Sequence, residues 1–177
     1  MLTYSEFTAR LKPIRLLLLD VDGVMTDGKY YLTGSGDERK GFCSLDGHGI
    51  RMAQRAGLLV GVLTGRISET VNRYAEGLEI KIVVQRSFHK EADYEAILKE
   101  QGLNDSQVAY IGDDVVDLPV LSRCGFSAAT PDADPWIRNR VCYVTRRRAG
   151  EGAVREVIDL LLKSQDKWDG AMSRYVK

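Results

Sequence analysis

The alternation of short apolar runs with segments of helical periodicity predicts an α/β fold, in which a parallel sheet is covered by helices. Leu16 to Leu19 form a continuous apolar run, as expected for a central strand that is buried on both faces. Acidic or small polar residues directly follow this run and two later ones. Because open parallel sheets bind ligands at the carboxyl ends of their strands, the expected fold also predicts where a functional site lies.

Taken in order, the pattern begins with a short amphipathic helix and then alternates strands with helices. Strands are predicted near residues 14–19, 59–63, 80–84, 107–111 and 141–144. Helices are predicted near residues 49–57, 67–77, 90–101, 115–124 and 151–163. This order favours βα units and therefore parallel strand pairing.

Two segments depart from the alternation. Residues 28–44 contain two strand-like runs around a Gly34-Ser35-Gly36-Asp37 turn, which predicts a projecting β-hairpin. The C-terminal tail, from about residue 164 to residue 177, is polar but carries Trp168 and Tyr175. Aromatic side chains in a polar tail suggest that the tail docks on a protein surface.

Composition predicts one domain that spans residues 1–177, because 177 residues with 44% hydrophobic content suffice for a full core. The 25 basic and 25 acidic residues cancel, so we expect neither nucleic-acid nor membrane binding. No signal-peptide pattern or bilayer-length apolar run is present, which favours a cytoplasmic protein. Cys43, Cys124 and Cys142 are odd in number and lack metal-ligand spacing, which argues against a disulfide framework or a zinc site.

The leucine run ends in Asp20-Val21-Asp22-Gly23, which places two carboxylates at the end of the first predicted strand. Magnesium commonly takes one or two protein carboxylates and leaves its other positions to water and substrate phosphate. One carboxylate can attack phosphorus, while the other protonates the leaving oxygen and later activates water. A solvated turn after a strand is the alternative, and this motif alone does not exclude it.

A second acidic group, Asp113-Asp114-Val115-Val116-Asp117, follows the apolar run Val108 to Ile111. Asp113 is expected to complete a magnesium shell with Asp20. Asp114 and Asp117 are expected either to orient that shell from behind or to cap the next helix.

Two further segments supply groups that suit a phosphate. Thr64-Gly65-Arg66 follows the strand-like run at residues 59–63, and a helix beginning near Ser68 would add its positive N-terminal end. Lys90 opens another predicted helix and could neutralise a transferring phosphoryl group. His89 is the competing candidate, but a permanent cation suits a phosphate dianion better.

In order and spacing, DVDGVMTDG, VLTGR, the isolated Lys90 and IGDDVVD resemble the four motifs of the haloacid dehalogenase superfamily of phosphotransferases. The segments FCSLDGHG and VTRRRAGEGAVREVIDLLL, with the hairpin after MTDG, are similar to its capless branch, the 3-deoxy-D-manno-octulosonate 8-phosphate phosphatase family. The resemblance covers almost the whole chain. It implies a Rossmann-like fold with a parallel sheet, a projecting hairpin and no cap domain.

The resemblance also implies a reaction and a set of roles. The reaction is magnesium-dependent hydrolysis of 3-deoxy-D-manno-octulosonate 8-phosphate through an aspartyl phosphate, in the synthesis of lipopolysaccharide precursor. The implied catalytic residues are Asp20, Asp22, Thr64 and Lys90, and the implied metal ligands are Asp20, Asp22 through its backbone carbonyl, and Asp113. The implied substrate contacts are Asp22, Cys43, Ser44, Leu45, Asp46, Gly47, Arg51, Thr64, Gly65, Arg66 and Lys90. A homotetramer is implied, in which hairpins and tails help to build neighbouring active sites.

Four positions depart from the better-known members of that family, namely Leu45, Tyr74, Arg86 and His89. These changes bear on the substrate and not on the phosphatase chemistry, so a phosphatase of nonulosonate 9-phosphates is an open alternative. A phospho-acceptor signalling domain is a further alternative, but Asp22 argues against it because an acid/base group hastens loss of an aspartyl phosphate. The run Arg146-Arg147-Arg148 favours a solvated basic turn, with carboxylate recognition open for one of the three.

Overall fold

The computed structural model describes residues 3–34 and 38–176, and this part of the chain alternates strands with helices. The strands are β1 (Leu16–Leu19), β2 (Tyr31–Leu32), β3 (Glu38–Arg39), β4 (Leu59–Leu63), β5 (Ile82–Val84), β6 (Val108–Ile111), β7 (Phe126–Ala129) and β8 (Tyr143–Val144). The α-helices are α1 (Tyr4–Leu11), α2 (Ser44–Arg55), α3 (Glu69–Gly77), α4 (Lys90–Gln101), α5 (Leu118–Leu121), α6 (Pro135–Arg138), α7 (Ala153–Ser164) and α8 (Trp168–Met172).

Six strands form one sheet in the order β5-β4-β1-β6-β7-β8, and every pair in it is parallel. β1 lies between β4 and β6, with Leu19 level with Val62 on one side and Ile111 on the other. The direction of the strand order reverses beside β1, where Rossmann-like sheets leave a crevice at the carboxyl ends of the strands. The predicted α/β fold is therefore confirmed, and its crevice follows β1 and β6.

The sheet divides the hydrophobic core into two layers, and the leucine side chains of β1 alternate between them. Leu17 and Leu19 belong to the layer that contains residues of α2 and α7. Leu16 and Leu18 belong to the opposite layer, with residues of α4 and α5. All four leucines are fully buried. A continuous apolar run is thus the sequence signature of a strand covered on both faces.

Several predicted boundaries need correction. β7 and α6 were not predicted, because Ser127, Ala128 and Ala129 lack the β-branched side chains typical of strands and α6 is only one turn long. α2 begins at Ser44, five residues before the predicted start. The helix predicted near 115–124 is a 3₁₀ turn over Val115–Asp117 followed by the short α5.

The segment between β1 and α2 forms the predicted hairpin and, among the residues described, contains no cap domain. β2 pairs with β3 in antiparallel register, Tyr31 opposite Arg39 and Leu32 opposite Glu38. The predicted turn includes residues 35–37, which lie outside the described part of the chain. The side chains of β2 are exposed, in agreement with a projecting element.

The C-terminal tail docks on its own chain, as its aromatic residues suggested. The hydroxyl of Tyr175 accepts a hydrogen bond from Arg55 at 3.0 Å and lies 3.0 Å from Nε2 of His48, both on α2. Lys163 lies over the ring of Trp168, 4.5 Å from its centroid. Trp168 and Tyr175 therefore pack against α7 and α2 of the same chain.

The three cysteines are free, as expected from their odd number and spacing. Among the residues described, none of the helices is long and apolar enough to cross a membrane.

Candidate active site

The predicted motifs meet in one cleft at the carboxyl ends of β1, β4 and β6. The cleft has a volume of about 260 Å³ and is lined by Asp20, Asp22, Gly28, Thr64, Gly65, Arg66, Lys90, Asp113, Asp114 and Val116. Size alone does not select it, because a cavity of about 490 Å³ lies beside β4 and β5. We take this cleft as the candidate active site because it contains a cluster of carboxylates with a lysine and a threonine. Ionisable groups with perturbed pKa values concentrate at functional sites.

Asp20 continues the line of β1 into the cleft. Its backbone N–H donates to Ile111 at 3.0 Å, so the pairing of β1 with β6 extends to the first carboxylate. Three residues later, Gly23 has a φ of +83°, and a Cβ atom there would lie 2.0 Å from Oδ2 of Asp113. Only glycine allows this approach without a clash. The turn after β1 therefore brings Asp113 against the backbone that carries Asp20.

Lys90 is buried at the start of α4, and its ammonium group uses its hydrogen bonds within the cluster. It donates to Asp20 at 2.7 Å, to Asp117 at 2.6 Å and to the hydroxyl of Tyr110 at 3.0 Å. His89, the competing candidate, is exposed and does not line the cleft. The geometry thus favours Lys90 as the cation of the site.

Asp117 supports the site from behind, as one of its two predicted roles requires. One of its oxygens accepts hydrogen bonds from Lys90 and from Tyr110 at 2.5 Å, and the other accepts from the amides of Asp113 at 2.9 Å and Asp114 at 3.2 Å. Asp114 instead caps the 3₁₀ turn by accepting from the amide of Val115 at 2.7 Å. The predicted capping role is therefore confirmed for Asp114, whereas the orientation of a magnesium shell by Asp117 stays a prediction.

Negative charge exceeds positive charge in the buried cluster. Burial raises the pKa of Asp113 to about 8, and the charges of Asp20 and Asp117 add to this effect. Burial and the charge of Asp117 also raise the pKa of Asp20, against the opposing effect of Lys90. Burial by itself lowers the pKa of Lys90, but Asp20 and Asp117 outweigh it and the pKa is raised. One ammonium group does not balance the carboxylates that surround it.

The donor set fits a hard divalent cation. Asp20, Asp113 and Asp117 offer carboxylate oxygens that all lie within 4.8 Å of one another. Because the hydrogen bonds of Asp117 already engage both of its oxygens, Asp20 and Asp113 are the better candidate ligands. Oxygen ligands of this kind suit magnesium.

Thr64 is buried at the end of β4 and is positioned by its backbone. Its N–H donates to Val84 at 2.9 Å, and its carbonyl accepts from Ser87 at 3.0 Å, which ties this loop to the segment before α4. The N-terminal end of α3, which we expected beside the phosphate, does not line the cleft. The amide of Ser68 there donates to Gln85 at 2.6 Å. The hydroxyl of Thr64 and the loop amides are the remaining neutral donors.

The hairpin also contacts the cleft of its own chain, whereas the resemblance implied only a contribution to neighbouring active sites. Lys40 donates a hydrogen bond to Oδ1 of Asp22. Arg66 donates to Glu38 at 2.8 Å and stacks over the ring of Tyr30, with 4.0 Å between the guanidinium carbon and the ring centroid. Lys40 and Tyr110 are thus contact residues that pattern reasoning missed. Tyr110 had a weak signal, since it carries a hydroxyl within the otherwise aliphatic run Val108 to Ile111, just before the acidic motif.

The first turn of α2 lies apart from the cleft in this chain. The cleft is not lined by Arg51 or by any of the five predicted substrate contacts at the start of α2, namely Cys43, Ser44, Leu45, Asp46 and Gly47. Asp46 is buried and accepts from the amide of Arg155 at 2.7 Å, and burial raises its pKa to about 6. Arg51 donates to Gly77 at 2.8 Å and pairs with Glu79 at 3.0 Å. Their role as substrate contacts stays a prediction.

Two of the four positions that depart from the family pattern, Tyr74 and Arg86, have distinctive local surroundings. Tyr74 stacks on Phe42 with 3.8 Å between ring centroids, and a Cβ at Gly47 would lie 2.9 Å from the Tyr74 hydroxyl. Arg86 has a φ of 58°, a left-handed conformation that glycine adopts more readily.

The basic run at residues 146–148 is exposed, as expected for a solvated turn. The backbone amides of Arg146 and Arg147 both donate to Glu156 at 2.9 Å.

Known proteins are similar to this chain in sequence and in fold. A family model described as haloacid dehalogenase-like hydrolase matches residues 82–158. The 3-deoxy-D-manno-octulosonate 8-phosphate phosphatase of Escherichia coli is 40% identical over 172 residues, which cover 97% of this chain and 92% of that protein. The enzyme of the same name from Yersinia pestis is 43% identical over 167 residues, which cover 94% of this chain and 89% of that protein.

Solved structures are similar over nearly the whole fold. The Moraxella catarrhalis 3-deoxy-D-manno-octulosonate 8-phosphate phosphatase, in complex with magnesium, phosphate and the sugar acid, has a TM-score of 0.95 at 34% identity, covering 98% of this chain and 99% of that one. The Yersinia pestis enzyme has a TM-score of 0.92 at 42% identity, covering 93% and 89%. Sequence identity and shared architecture agree, and the chain therefore belongs to the 3-deoxy-D-manno-octulosonate 8-phosphate phosphatase family of haloacid dehalogenase-like hydrolases.

Proposed function

We propose that this chain is a magnesium-dependent phosphomonoesterase that hydrolyses 3-deoxy-D-manno-octulosonate 8-phosphate to the free sugar acid and phosphate. The observation that carries the proposal is the buried pair of Asp20 and Lys90, 2.7 Å apart, beside Asp113 in a cleft at the carboxyl ends of parallel strands. The relatives that bear this name cover almost the whole chain.

Asp20 is the proposed nucleophile. Lys90 holds Oδ1 of Asp20, which orients the carboxylate and leaves its other oxygen to attack phosphorus. A bond forms between that oxygen and phosphorus as the bond between phosphorus and the sugar oxygen breaks, and Asp22 gives the leaving oxygen a proton. Asp22 then takes a proton from the water that attacks the aspartyl phosphate, so phosphate is released and Asp20 is regenerated.

The remaining groups of the cleft stabilise charge. Asp20, Asp113 and the backbone carbonyl of Asp22 are the proposed magnesium ligands, and the ion would supply positive charge to the phosphoryl oxygens when bound. Lys90 supplies a second positive charge, and Thr64 and the amide of Gly65 are the proposed neutral donors to phosphate. Asp114 and Asp117 are proposed to support these groups without contacting the substrate.

Recognition of the sugar acid is proposed for the mouth of the cleft. Arg66 lines it with its side chain 44% exposed, and a guanidinium fork matches a carboxylate. The first turn of α2 and Arg51 are the other proposed contacts. Because they do not line the cleft of their own chain, they fit an arrangement in which a neighbouring subunit completes each site.

We also propose a single domain, a cytoplasmic location and a role in the supply of lipopolysaccharide precursor. The three free cysteines are compatible with a reducing compartment.

A homotetramer is the proposed assembly, and exposed apolar side chains on the hairpin and around the cleft support it. Tyr31 and Leu32 are 62% and 68% exposed, and Phe88 and Val116 are 73% and 58% exposed. Sedimentation equilibrium is expected to give four times the chain mass of 19.8 kDa. A monomer at assay concentrations would contradict an active site shared between subunits.

Asp20→Asn is expected to lower phosphate release by at least about 10⁴-fold, because an amide oxygen is a poor nucleophile. The measurement is steady-state turnover of the octulosonate phosphate, a nonulosonate 9-phosphate and a simple alkyl phosphate. Asp159→Asn on α7, outside the cleft, is the control and should leave turnover unchanged. Undiminished turnover by Asp20→Asn would refute the mechanism, and equal, weak turnover of all three compounds would refute the substrate.

Magnesium is expected to raise the midpoint of thermal unfolding of the EDTA-treated protein, because the ion binds the folded state and relieves repulsion between Asp20 and Asp113. At a hundredfold excess over its dissociation constant, a ligand stabilises by about 2.7 kcal/mol. Asp113→Asn should reduce the shift and the magnesium-dependent turnover together, while Asp159→Asn should retain both. A full shift in Asp113→Asn would exclude Asp113 as a ligand.

Lys90→Met is expected to abolish turnover and to lower the free energy of unfolding by about 3–5 kcal/mol, because it leaves buried carboxylates without their cation. Adding Asp117→Asn to this variant should recover part of the stability and none of the activity. Urea unfolding measures the first effect and phosphate release the second. The control is Lys99→Met on the exposed face of α4, and equal stability of the Lys90 and Lys99 variants would be the contrary result.

A further inference from the structure

The side chain of Lys40, which follows β3 of the hairpin, is buried although the hairpin is a projecting element. Its side chain is only 1% exposed. The ammonium group donates a hydrogen bond to Oδ1 of Asp22 and lies 3.5 Å from Oε1 of Glu38. Lysine side chains are rarely buried to this extent unless they are paired. Its pairing with Asp22, the proposed acid/base of the reaction, is therefore what we consider as the reason for this burial.

The two carboxylate oxygens of Asp22 have different surroundings. Oδ1 accepts the hydrogen bond from Lys40. Oδ2 is buried and, among the residues described, has no hydrogen-bond partner, and Nε of Arg66 lies 3.8 Å away. A buried carboxylate oxygen without a hydrogen bond is costly, and such atoms in native structures need a reason. A proton-transferring atom is one such reason, because an oxygen that is not held by another hydrogen bond is free to give and take the proton.

The hairpin is held against the rest of the chain by polar contacts, which fix the position of Lys40. The backbone carbonyl of Glu38 accepts from the hydroxyl of Thr70 at 3.2 Å, and its side chain accepts from Arg66 at 2.8 Å. Arg66 also stacks on Tyr30, which precedes β2. These contacts join both strands of the hairpin to the loop after β4 and to α3. The ammonium group of Lys40 is therefore held relative to the cleft.

We propose that Lys40 is a positioning residue that holds Oδ1 of Asp22, so that Oδ2 is the oxygen that exchanges the proton. The inference rests on the proposed function, because it concerns the acid/base of that reaction. In the first step the proton passes from Oδ2 to the leaving sugar oxygen as its bond to phosphorus breaks. In the second step Oδ2 takes a proton from the attacking water. Without Lys40 the carboxylate would rotate, and misplacement of a catalytic group by about 1 Å can lower a rate by about 10²-fold.

The main test is steady-state kinetics of Lys40→Met and Lys40→Arg with the sugar phosphate. Lys40→Met is expected to lower kcat by about 10- to 100-fold and to change KM by less than about threefold, because Lys40 acts through Asp22. Lys40→Arg keeps a cationic donor and should restore kcat to within about fivefold of the wild type. The matched control is Lys29→Met, which should change neither constant. Lys29 lies in the same segment before β2, and its side chain is 71% exposed.

A second readout separates positioning from general damage to the fold. p-Nitrophenolate leaves without being protonated, so the first turnover of p-nitrophenyl phosphate does not need an acid, whereas later turnovers need Asp22 to activate water. Rapid mixing of Lys40→Met with this substrate should give a first release of product within about threefold of the wild-type rate, followed by a slowed steady state. Equal slowing of both phases would overturn the inference.

The remaining outcomes distinguish this inference from the proposed function. If the wild type lacks magnesium-dependent phosphatase activity, the proposed function fails. If the wild type is active and Lys40→Met keeps its kcat, or changes KM alone, the positioning role is wrong and the function stands. Thermal unfolding of each variant checks that it is folded. If Lys40→Met does not fold, Lys40→Gln replaces it, because glutamine keeps a polar side chain without the charge.

Discussion

The ion pair network of Lys90 is the interaction on which the rest of the site depends. Its ammonium group joins Asp20 at the end of β1 to Asp117 in the loop after β6, with donor to acceptor distances of 2.7 and 2.6 Å. Buried charges are costly unless they are paired, and the pairs here connect segments that are 27 and 70 residues apart in the chain. A site of this kind exists only once the sheet has assembled.

The sheet supplies the geometry that this network needs. The pairing of β1 with both β4 and β6 sets their carboxyl ends level, so that Asp20, Thr64 and Asp113 emerge at the same edge. The apolar layers on either face exclude water from the base of the cleft. Burial raises the pKa of Asp113, and the charges of Asp20 and Asp117 add to this effect. The same excess of negative charge makes the cluster suitable for a divalent cation.

The hairpin adds a second polar network above the first. Lys40 connects the hairpin to Asp22, and Glu38 contacts both Lys40 and Arg66. Asp20 is held instead by Lys90, which also pairs with Asp117. The nucleophile and the acid/base are thus positioned by different elements of the chain. The hairpin that carries Lys40 also presents the exposed side chains of Tyr31 and Leu32 on β2.

The sequence alone determined the elements that depend on local pattern and the residues that follow strong strands. The leucine run predicted β1, and the motifs after β1, β4 and β6 predicted Asp20, Thr64 and Asp113 as neighbours, because parallel strands end at one edge. Tertiary structure decided the rest. β7 forms from Phe126, Ser127 and small residues with little strand preference, since its place in the sheet buries them completely. Lys40 contacts Asp22, and the first turn of α2 lies apart from the cleft, because of how the loops fold back across the edge of the sheet. The spacing of residues in the sequence does not predict those loop conformations.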